Sequence, residues 1–192
     1  MTMKMGKFEK RFINATAHSR HVAEAAVRRL RHVPVHAGCR YLDVGCGNGL
    51  ASLHVADTFK LRAIGVDFDP AQIELARRAA GTRTDVTFVT ASATELPFPT
   101  GSFDIVATNK TMHHVPEWWL AVDEIKRVVA LGGYVVFADL NAPAALAPLL
   151  RSTLGRVAGV FTRRDLDGCF SGLRSVHRSA GWLHYEAVFL KP

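Results

Sequence analysis

Three glycines at alternate positions constrain this chain more than any other feature of its sequence. The apolar segment Arg40–Val44 leads directly into Gly45, Gly47 and Gly49. Glycines that follow a strand and open a helix allow the atoms of a ligand to approach the backbone closely. The segment therefore predicts a first strand, a ligand-binding loop and a helix that runs to about Phe59.

The spacing of the glycines and two nearby carboxylates narrow the type of ligand. Dinucleotide-binding loops use G-x-G-x-x-G, but here Leu50 stands where the later glycine would be. Asp43 precedes the first glycine by two residues, which disfavours two phosphates and favours an ammonium or sulfonium group. Asp67 lies about 20 residues beyond the loop, where a carboxylate can accept both hydroxyls of a ribose. Together these residues predict a nucleoside-bearing ligand.

The chain then alternates between short apolar segments and amphipathic ones. Strands are expected over residues 63–67, 86–90, 105–108 and 134–138, and helices over residues 71–80 and 116–129. Gly132 and Gly133 are expected to end the last of these helices. The strands lack a polar face, which is typical of strands covered by helices on both sides. This order predicts an α/β fold with a doubly wound parallel sheet, helices on both faces and right-handed crossovers.

The C-terminal part of the sequence breaks this alternation. Residues 141–170 contain prolines and glycines among small apolar residues, which indicates a helical insert. Two strand-like runs follow, near residues 173–177 and 183–190, and the short turn between them is typical of antiparallel neighbours. No linker separates a second domain, so a single domain is expected.

Charge and cysteine content bear on partners and cellular context. The net charge is +7, and residues 1–32 hold eight basic and two acidic side chains, an excess of six. We expect this segment to be mainly the solvated face of an amphipathic helix; contact with nucleic acid, anionic lipid or an acidic partner is the alternative. The three cysteines suit neither a disulfide framework nor a metal site. Without a secretory signal or an apolar run of roughly 18 residues, the chain is expected in the cytoplasm.

The motifs as a set resemble those of the class I S-adenosylmethionine-dependent methyltransferases. Residues 43–49 are similar to the glycine motif of that family, and residues 65–70 are similar to its acidic second motif. Residues 93–98, 102–106 and 127–134 resemble the stretch beside the adenine, the approach to the fourth strand and the passage into the fifth. The resemblance implies S-adenosylmethionine as cofactor and a Rossmann-like, seven-stranded, mostly parallel sheet with an antiparallel last strand. The group that methylates small metabolites and quinones is the most similar.

The resemblance divides the chain into four parts of one methyltransferase domain. Residues 38–140 would form the donor-binding core, residues 1–37 a basic helical lid, residues 141–170 a helical cap and residues 171–192 a C-terminal strand pair. Ligands of such folds bind outside the carboxyl ends of the strands, so the lid and the cap are expected to cover the acceptor pocket. The apolar composition of the cap predicts a mostly apolar pocket.

The cofactor contacts follow from the positions that match the family motifs. The expected contacts are Asp43, Gly45, Cys46, Gly47, Gly49, Asp67, Phe68, Ser92, Ala93, Thr94 and Asn109. Ser92 departs from the family, because many relatives have an aspartate there that holds the adenine amino group. A neutral hydrogen bond contributes only about 1 kcal/mol, so a lower donor affinity is expected unless Thr94 or a backbone group shares the task.

Residues after the fourth strand should face the transferred methyl group and hold the acceptor. His114 and, with lower priority, His113 are candidate general bases, because imidazole titrates close to neutral pH. The alternative is that one of them caps the next helix or packs under the loop. The candidate substrate contacts are Lys110, Trp118, Asp139, Phe12 and His18. Trp118 has packing as its alternative role, Asp139 has capping of the insert, and no metal site is predicted.

Three functions remain open on the sequence alone. The favoured one is methyl transfer by direct displacement to a small, largely apolar or aromatic metabolite. A methyltransferase or binding protein that reaches nucleic acid through the basic N-terminal segment is disfavoured, because Asn109 is not followed by a Pro-Pro-Tyr motif. The substitution at Ser92 also leaves open a non-catalytic S-adenosylmethionine-binding subunit. The oligomeric state is not determined, and a homodimer is left open.

Overall fold

One sheet of seven strands organises the molecule. The computed structural model describes residues 16–156 and 158–192, and the side chains of residues 16–19 lie outside this description. The strand order is β3-β2-β1-β4-β5-β7-β6. The strands are β1 (Arg40–Val44), β2 (Arg62–Asp67), β3 (Val86–Thr90), β4 (Phe103–Asn109), β5 (Val129–Leu140), β6 (Arg174–Ala180) and β7 (His184–Leu190). The first five strands run parallel, and β7 pairs antiparallel with both β5 and β6. The predicted fold class is therefore confirmed.

Helices cover both faces of this sheet. They are α1 (Thr16–Leu30), α2 (Leu50–Phe59), α3 (Pro70–Ala80), α4 (Trp118–Val128), α5 (Ala147–Leu154) and α6 (Arg163–Cys169). Helices α1, α2 and α3 contribute to a core with residues such as Tyr41 and Ile105 on one face of the sheet. Helices α4 and α6 contribute to the core on the other face, around Phe137. Burial of apolar side chains on both faces explains why the central strands lack an alternating polar pattern.

Local signals set the start and end of α3 close to the predicted positions. The Asp69 side chain accepts a hydrogen bond from the Ala71 N–H at 3.0 Å, as an N-cap residue does. Pro70 occupies the first turn, where its missing N–H leaves no partner unsatisfied. Gly81 follows the helix with a φ of 60°. The N-cap at Asp69 thus fixes the start of α3 directly after the carboxyl end of β2.

The passage from α4 into β5 differs from the sequence prediction. Gly132 and Gly133 were expected to end the helix, but α4 ends at Val128 and β5 begins at the next residue. The two glycines pair with the C-terminal end of the chain, because the Gly132 N–H donates to the Lys191 carbonyl at 2.8 Å and the Lys191 N–H donates to Gly133 at 2.9 Å. β5 is therefore longer than expected, and it spans the full height of the sheet.

The insert after β5 contains the two short helices α5 and α6. Its start is fixed to the β6–β7 turn, because the Asn141 N–H donates to the Leu183 carbonyl at 3.2 Å. A capping box at Thr162 and Asp165 begins α6. Since β5 runs parallel to β1 and β4, this insert and the glycine loop lie at the same, carboxyl edge of the sheet.

Candidate functional site

The glycine loop between β1 and α2 is tightly built. Gly45, Gly47 and Gly49 have φ values of 79°, 53° and 76°, a region that side chains other than glycine rarely adopt. A Cβ at Gly45 would lie 2.1 Å from the Thr111 Oγ1, and a Cβ at Gly49 would lie 2.5 Å from the Phe88 ring. At these two positions a side chain would therefore overlap another residue of the protein.

Gly47 differs from the other two glycines of the loop. The nearest atom to a Cβ at this position would be Gln72 Oε1, at 3.9 Å. Among the described residues, the space in front of Gly47 is open, so a ligand can approach the backbone there. The sequence predicts ligand contacts at all three glycines, and these contacts stay a prediction; internal packing accounts for the lack of a side chain at Gly45 and Gly49, and not at Gly47.

Asp67 connects the loop to the start of α3. Its Oδ2 accepts the Gly47 N–H at 2.9 Å, and its Oδ1 accepts the Asp69 N–H at 2.9 Å. These two bonds hold the carboxylate at the carboxyl end of β2, where the acid that binds ribose hydroxyls lies in nucleoside-binding sites. The next residue, Phe68, is 51% exposed, and its ring offers a flat apolar surface beside the carboxylate. The pair fits a ribose and an attached base.

Asp43 is placed differently from the sequence expectation. Its side chain is buried, and its Oδ2 accepts a 2.6 Å hydrogen bond from Ser52 in α2. Burial raises the pKa of Asp43 to about 6, the Ser52 hydrogen bond opposes this rise, and the charge of Asp67 adds to it. Asp43 thus anchors the loop to α2, and any influence on a cationic ligand acts through its charge across the loop rather than through an exposed oxygen.

Cys46 also lies inside the loop. Burial raises the pKa of the Cys46 thiol well above its ordinary value, so the group is neutral at physiological pH. Its neighbourhood is apolar, since it belongs to the core cluster on the face covered by α1 and α2. The backbone of Cys46, whose N–H donates to the Val66 carbonyl at 2.9 Å, holds the loop against β2.

The segment after β3 brings two hydroxyl groups together. Ser92 Oγ lies 2.7 Å from Thr94 Oγ1, and the Thr94 N–H donates to Ser92 Oγ at 3.2 Å. Ser92, Ala93 and Thr94 are each partly exposed. A hydroxyl pair can present either a donor or an acceptor to a neighbouring group, because each hydroxyl hydrogen rotates. This arrangement is compatible with the shared role considered for Ser92 and Thr94.

The end of β4 presents polar residues next to the glycine loop. Asn109 Oδ1 accepts a 2.7 Å hydrogen bond from Arg29 of α1, a contact that the sequence did not indicate. Lys110 is exposed and has a φ of 51°, and its N–H donates to the Ala138 carbonyl. Thr111 fills the space in front of Gly45. The short turn Met112–His114 that follows is thereby held beside the loop.

This turn carries a histidine–carboxylate pair that is suited to accept a proton. His113 Nδ1 lies 2.6 Å from Oδ1 of Asp139, which is fully buried at the end of β5. The same carboxylate accepts the Met112 N–H at 2.7 Å and the Leu140 N–H at 2.7 Å. Because the carboxylate acts as an acceptor throughout, the His113 proton resides on Nδ1, and Nε2 is left as an acceptor.

The sequence interpretation ranks His114 above His113 and offers Asp139 as a substrate contact or a cap. The two imidazole rings lie 3.9 Å apart, but it is His113 that contacts the buried carboxylate. Asp139 has no exposed surface, so its position favours support of His113 and of the turn over contact with a substrate. No spacing rule relates residues 113 and 139; their proximity arises only because β4 and β5 are neighbours.

Three other candidate residues lie in the core or outside the described residues. Trp118 is buried in the core, with its ring 5.1 Å from that of Phe161, which favours packing over stacking on a substrate. Phe12 lies outside the described residues, and so does the side chain of His18, whose backbone belongs to α1. Within residues 16–156 and 158–192, no group of three side chains could hold a metal ion. In the same part of the chain, no helix is both long and apolar enough to cross a bilayer.

Comparisons with known proteins agree with this geometry. The family model "Methyltransferase domain" matches residues 42–137. The 27-O-demethylrifamycin SV methyltransferase of Amycolatopsis mediterranei is 36% identical over 120 residues, which are 59% of this chain and 44% of that protein. The demethylmenaquinone methyltransferase of Clavibacter sepedonicus is 34% identical over 125 residues, which are 65% of this chain and 50% of that protein. The chain thus spans about half the length of these relatives.

A solved structure extends the likeness of the fold beyond this core. The structure of geranyl diphosphate methyltransferase in complex with SAM has a TM-score of 0.72 and 16% sequence identity to this chain. The match covers 92% of this chain and 90% of that protein. The likeness of the fold therefore extends well beyond residues 42–137, which the family model matches.

Proposed function

The chain belongs to the class I S-adenosylmethionine-dependent methyltransferases, and we propose that it transfers a methyl group from S-adenosylmethionine to a small, largely apolar or aromatic molecule. The observation that carries this proposal is the position of the His113–Asp139 pair. It lies at the same edge of the sheet as Gly47 and Asp67, so the donor-binding loop and a proton acceptor are on the same side of the molecule.

The residues at the loop fit the donor. Asp67 lies where a carboxylate accepts ribose hydroxyls, and each hydrogen bond to a charged group contributes roughly 1.5–3 kcal/mol. Phe68 offers its exposed ring to the adenine, and the Ser92–Thr94 hydroxyl pair offers hydrogen bonds to the adenine edge. Gly47 lets the ligand approach the backbone. We propose these residues as the principal donor contacts, with Asn109 beside the site of transfer.

The chemistry demands little covalent participation from the protein. When bound, S-adenosylmethionine supplies a methyl group that its sulfonium has already activated. The loop and the turn Met112–His114 align the acceptor, and such alignment can contribute roughly 7–11 kcal/mol. His113 Nε2 accepts the proton that a hydroxyl acceptor must lose, and the Asp139 carboxylate stabilises the imidazolium that forms. The insert is held against the turn, because the Gly159 N–H donates to the His113 carbonyl at 3.0 Å.

The nature of the acceptor is a proposal supported by the insert and by the relatives. The insert is rich in leucine and alanine, and the two relatives described above are named for rifamycin and menaquinone precursors. Lys110 is exposed beside the turn and is proposed to hold an anionic group of the acceptor where one exists. A cytoplasmic location stays a prediction, and a homodimer, a role on nucleic acid and a role as a non-catalytic subunit stay the alternatives that the sequence leaves open.

The proposed function is tested by methyl transfer from labelled donor. The full chain is incubated with S-adenosylmethionine carrying a labelled methyl group and with a small-molecule extract. The expected result is label in a low-mass organic product, with a loss of most of the rate in His113→Gln and a smaller loss in the matched neighbour His114→Gln. Label in nucleic acid, or donor binding without any labelled product, would contradict the proposal.

A further inference from the structure

A polar side chain occupies the buried side of α3. The buried residues of this helix are Gln72, Ile73 and Ala76. Ile73 and Ala76 belong to the apolar core that α1, α2 and α3 form with the sheet, whereas Gln72 is a polar residue that is only 1% exposed. A glutamine is rarely buried to this extent unless its amide is hydrogen-bonded. Apolar packing therefore does not explain why a glutamine stands at this position.

The side-chain oxygen of Gln72 has no hydrogen-bond donor near it. Oε1 is enclosed, and among the described residues no donor lies within hydrogen-bonding distance of it. An acceptor of this kind destabilises a fold, because its hydrogen bonds to water are lost on folding and are not replaced. Groups that lower stability in this way are typical of positions that serve binding or catalysis.

The same oxygen borders the open space in front of Gly47. It lies 3.9 Å from the point where a Cβ of Gly47 would stand, and apart from the chain neighbours of this glycine it is the one atom of the described residues within 4 Å of that point. The N–H of Gly47 donates to Asp67 Oδ2 at 2.9 Å. An amide oxygen and a carboxylate oxygen therefore adjoin one glycine of the donor-binding loop, at the position where a ligand can approach the backbone.

We propose that Gln72 determines specificity in the donor site, because its Oε1 accepts a hydrogen bond from one ribose hydroxyl of S-adenosylmethionine while Asp67 accepts the other. This inference rests on the proposed function, since the ribose is part of the proposed donor. Two neighbouring hydroxyls supply two donors, and the bound ribose gives Gln72 the partner that the fold does not provide. A ligand that lacks this hydroxyl is disfavoured, because it leaves the buried acceptor unpaired.

Deoxyribose analogues test the proposal. S-adenosylhomocysteine and its 2′-deoxy and 3′-deoxy forms are titrated by calorimetry into the full chain and into Gln72→Met, which has a similar shape and no acceptor. Gln72→Met should bind S-adenosylhomocysteine about 5- to 10-fold more weakly than the original chain does. For one of the two deoxy forms the variant and the original chain should have equal affinity, because the hydroxyl that Gln72 binds is already absent. A loss of the same size for all three ligands, or no loss for any, would overturn the proposal.

A matched variant and a stability measurement exclude a role in packing. Glu74→Met makes a similar change on the exposed side of α3, where Glu74 pairs with Arg78, and should leave all three affinities unchanged. The urea midpoint of Gln72→Met without ligand should equal or exceed that of the original chain, because the variant removes an unpaired buried acceptor. A lower midpoint together with equal losses for the three ligands would identify a packing role and contradict the proposal.

The same titrations separate this inference from the proposed function. If the original chain does not bind S-adenosylhomocysteine, the proposed donor is wrong and the role of Gln72 is wrong with it. If the original chain binds S-adenosylhomocysteine but the effects of Gln72→Met and of both deoxy forms are additive, only the role of Gln72 is overturned.

Discussion

Replacing Asp139 with asparagine tests the role of the buried carboxylate with almost no change in shape. Oδ1 of Asp139 serves His113 Nδ1 and the Leu140 N–H, and Oδ2 serves the Met112 N–H, at distances of 2.6 to 2.7 Å. An asparagine supplies only one oxygen for these three donors. One of its two orientations therefore directs the amide N–H₂ group toward the Met112 N–H, and the other directs it toward His113 and the Leu140 N–H, where it also opposes a buried donor.

Each orientation has a calculable consequence. If the N–H₂ group faces Met112, two donors oppose each other in a buried site, which costs about 1–3 kcal/mol of folding stability. If it faces His113, Nδ1 must accept, so the proton moves to Nε2 and the ring can no longer take a proton from the acceptor. In the first orientation the imidazolium also loses its negative partner. Asp139→Asn should therefore lower kcat between about 10²- and 10⁴-fold for a hydroxyl acceptor, with donor affinity little changed.

Three measurements on the purified variant separate these effects. Single-turnover methyl transfer gives the chemical rate, calorimetry gives the affinity for S-adenosylmethionine, and urea unfolding gives the free energy of unfolding. His114→Gln is the matched control. His114 is a neighbouring imidazole whose ring lies 3.9 Å from that of His113, whereas the hydrogen bond to Asp139 Oδ1 is made by His113. A wild-type turnover rate in Asp139→Asn, or a larger rate loss in the control, would refute the assignment of His113 as the base.

Three further predictions concern the loop, the buried acid and the N-terminal helix. Gly45→Ala should destabilise the fold by at least several kcal/mol, because the new Cβ would overlap the Thr111 side chain. Gly47→Ala should mainly weaken donor binding. Urea unfolding measures the first effect, and calorimetry measures the second. The pKa of Asp43 is about 6 in the folded chain and 3.8 for an unperturbed aspartate, so the folded state holds its proton more tightly than the unfolded state does. The free energy of unfolding should then fall by about 3 kcal/mol in total as pH rises through this window. Urea unfolding from pH 4 to pH 7 should show this fall in the original chain and not in Asp43→Asn. Arg29→Met should lower the free energy of unfolding by about 2 kcal/mol through loss of its bonds to Asn109 and Glu186, whereas a loss no larger than in Arg31→Met would contradict an anchoring role for this residue.

The parallel sheet could be predicted because the sequence signals that specify its strands and helices are local. The glycine loop, the caps at Asp69 and Gly81 and the β-branched strands each act within a few residues, and the structure confirms those elements. The long β5 was missed because Gly132 and Gly133 pair with Lys191, a partner that no local pattern reveals. Helix-ending glycines and strand glycines look alike when only the sequence is read.

The candidate site shows the same division between local and distant information. The donor loop and Asp67 follow a motif of fixed spacing, so their proximity could be expected from the sequence. The pairing of His113 with Asp139 and the bond from Arg29 to Asn109 join residues 26 and 80 positions apart. Such contacts are set by strand order and helix packing. The sequence could therefore indicate His113 and Asp139 as separate candidate site residues, but it could not predict that they contact each other.

Titration of the full chain with S-adenosylmethionine in a calorimeter tests the central claim most directly. We predict saturable heat at one site per chain, a loss of affinity of at least about 100-fold in Asp67→Ala from two charged hydrogen bonds, and no heat with NAD. No heat with S-adenosylmethionine, or an NAD signal that disappears in Asp67→Ala, would contradict it.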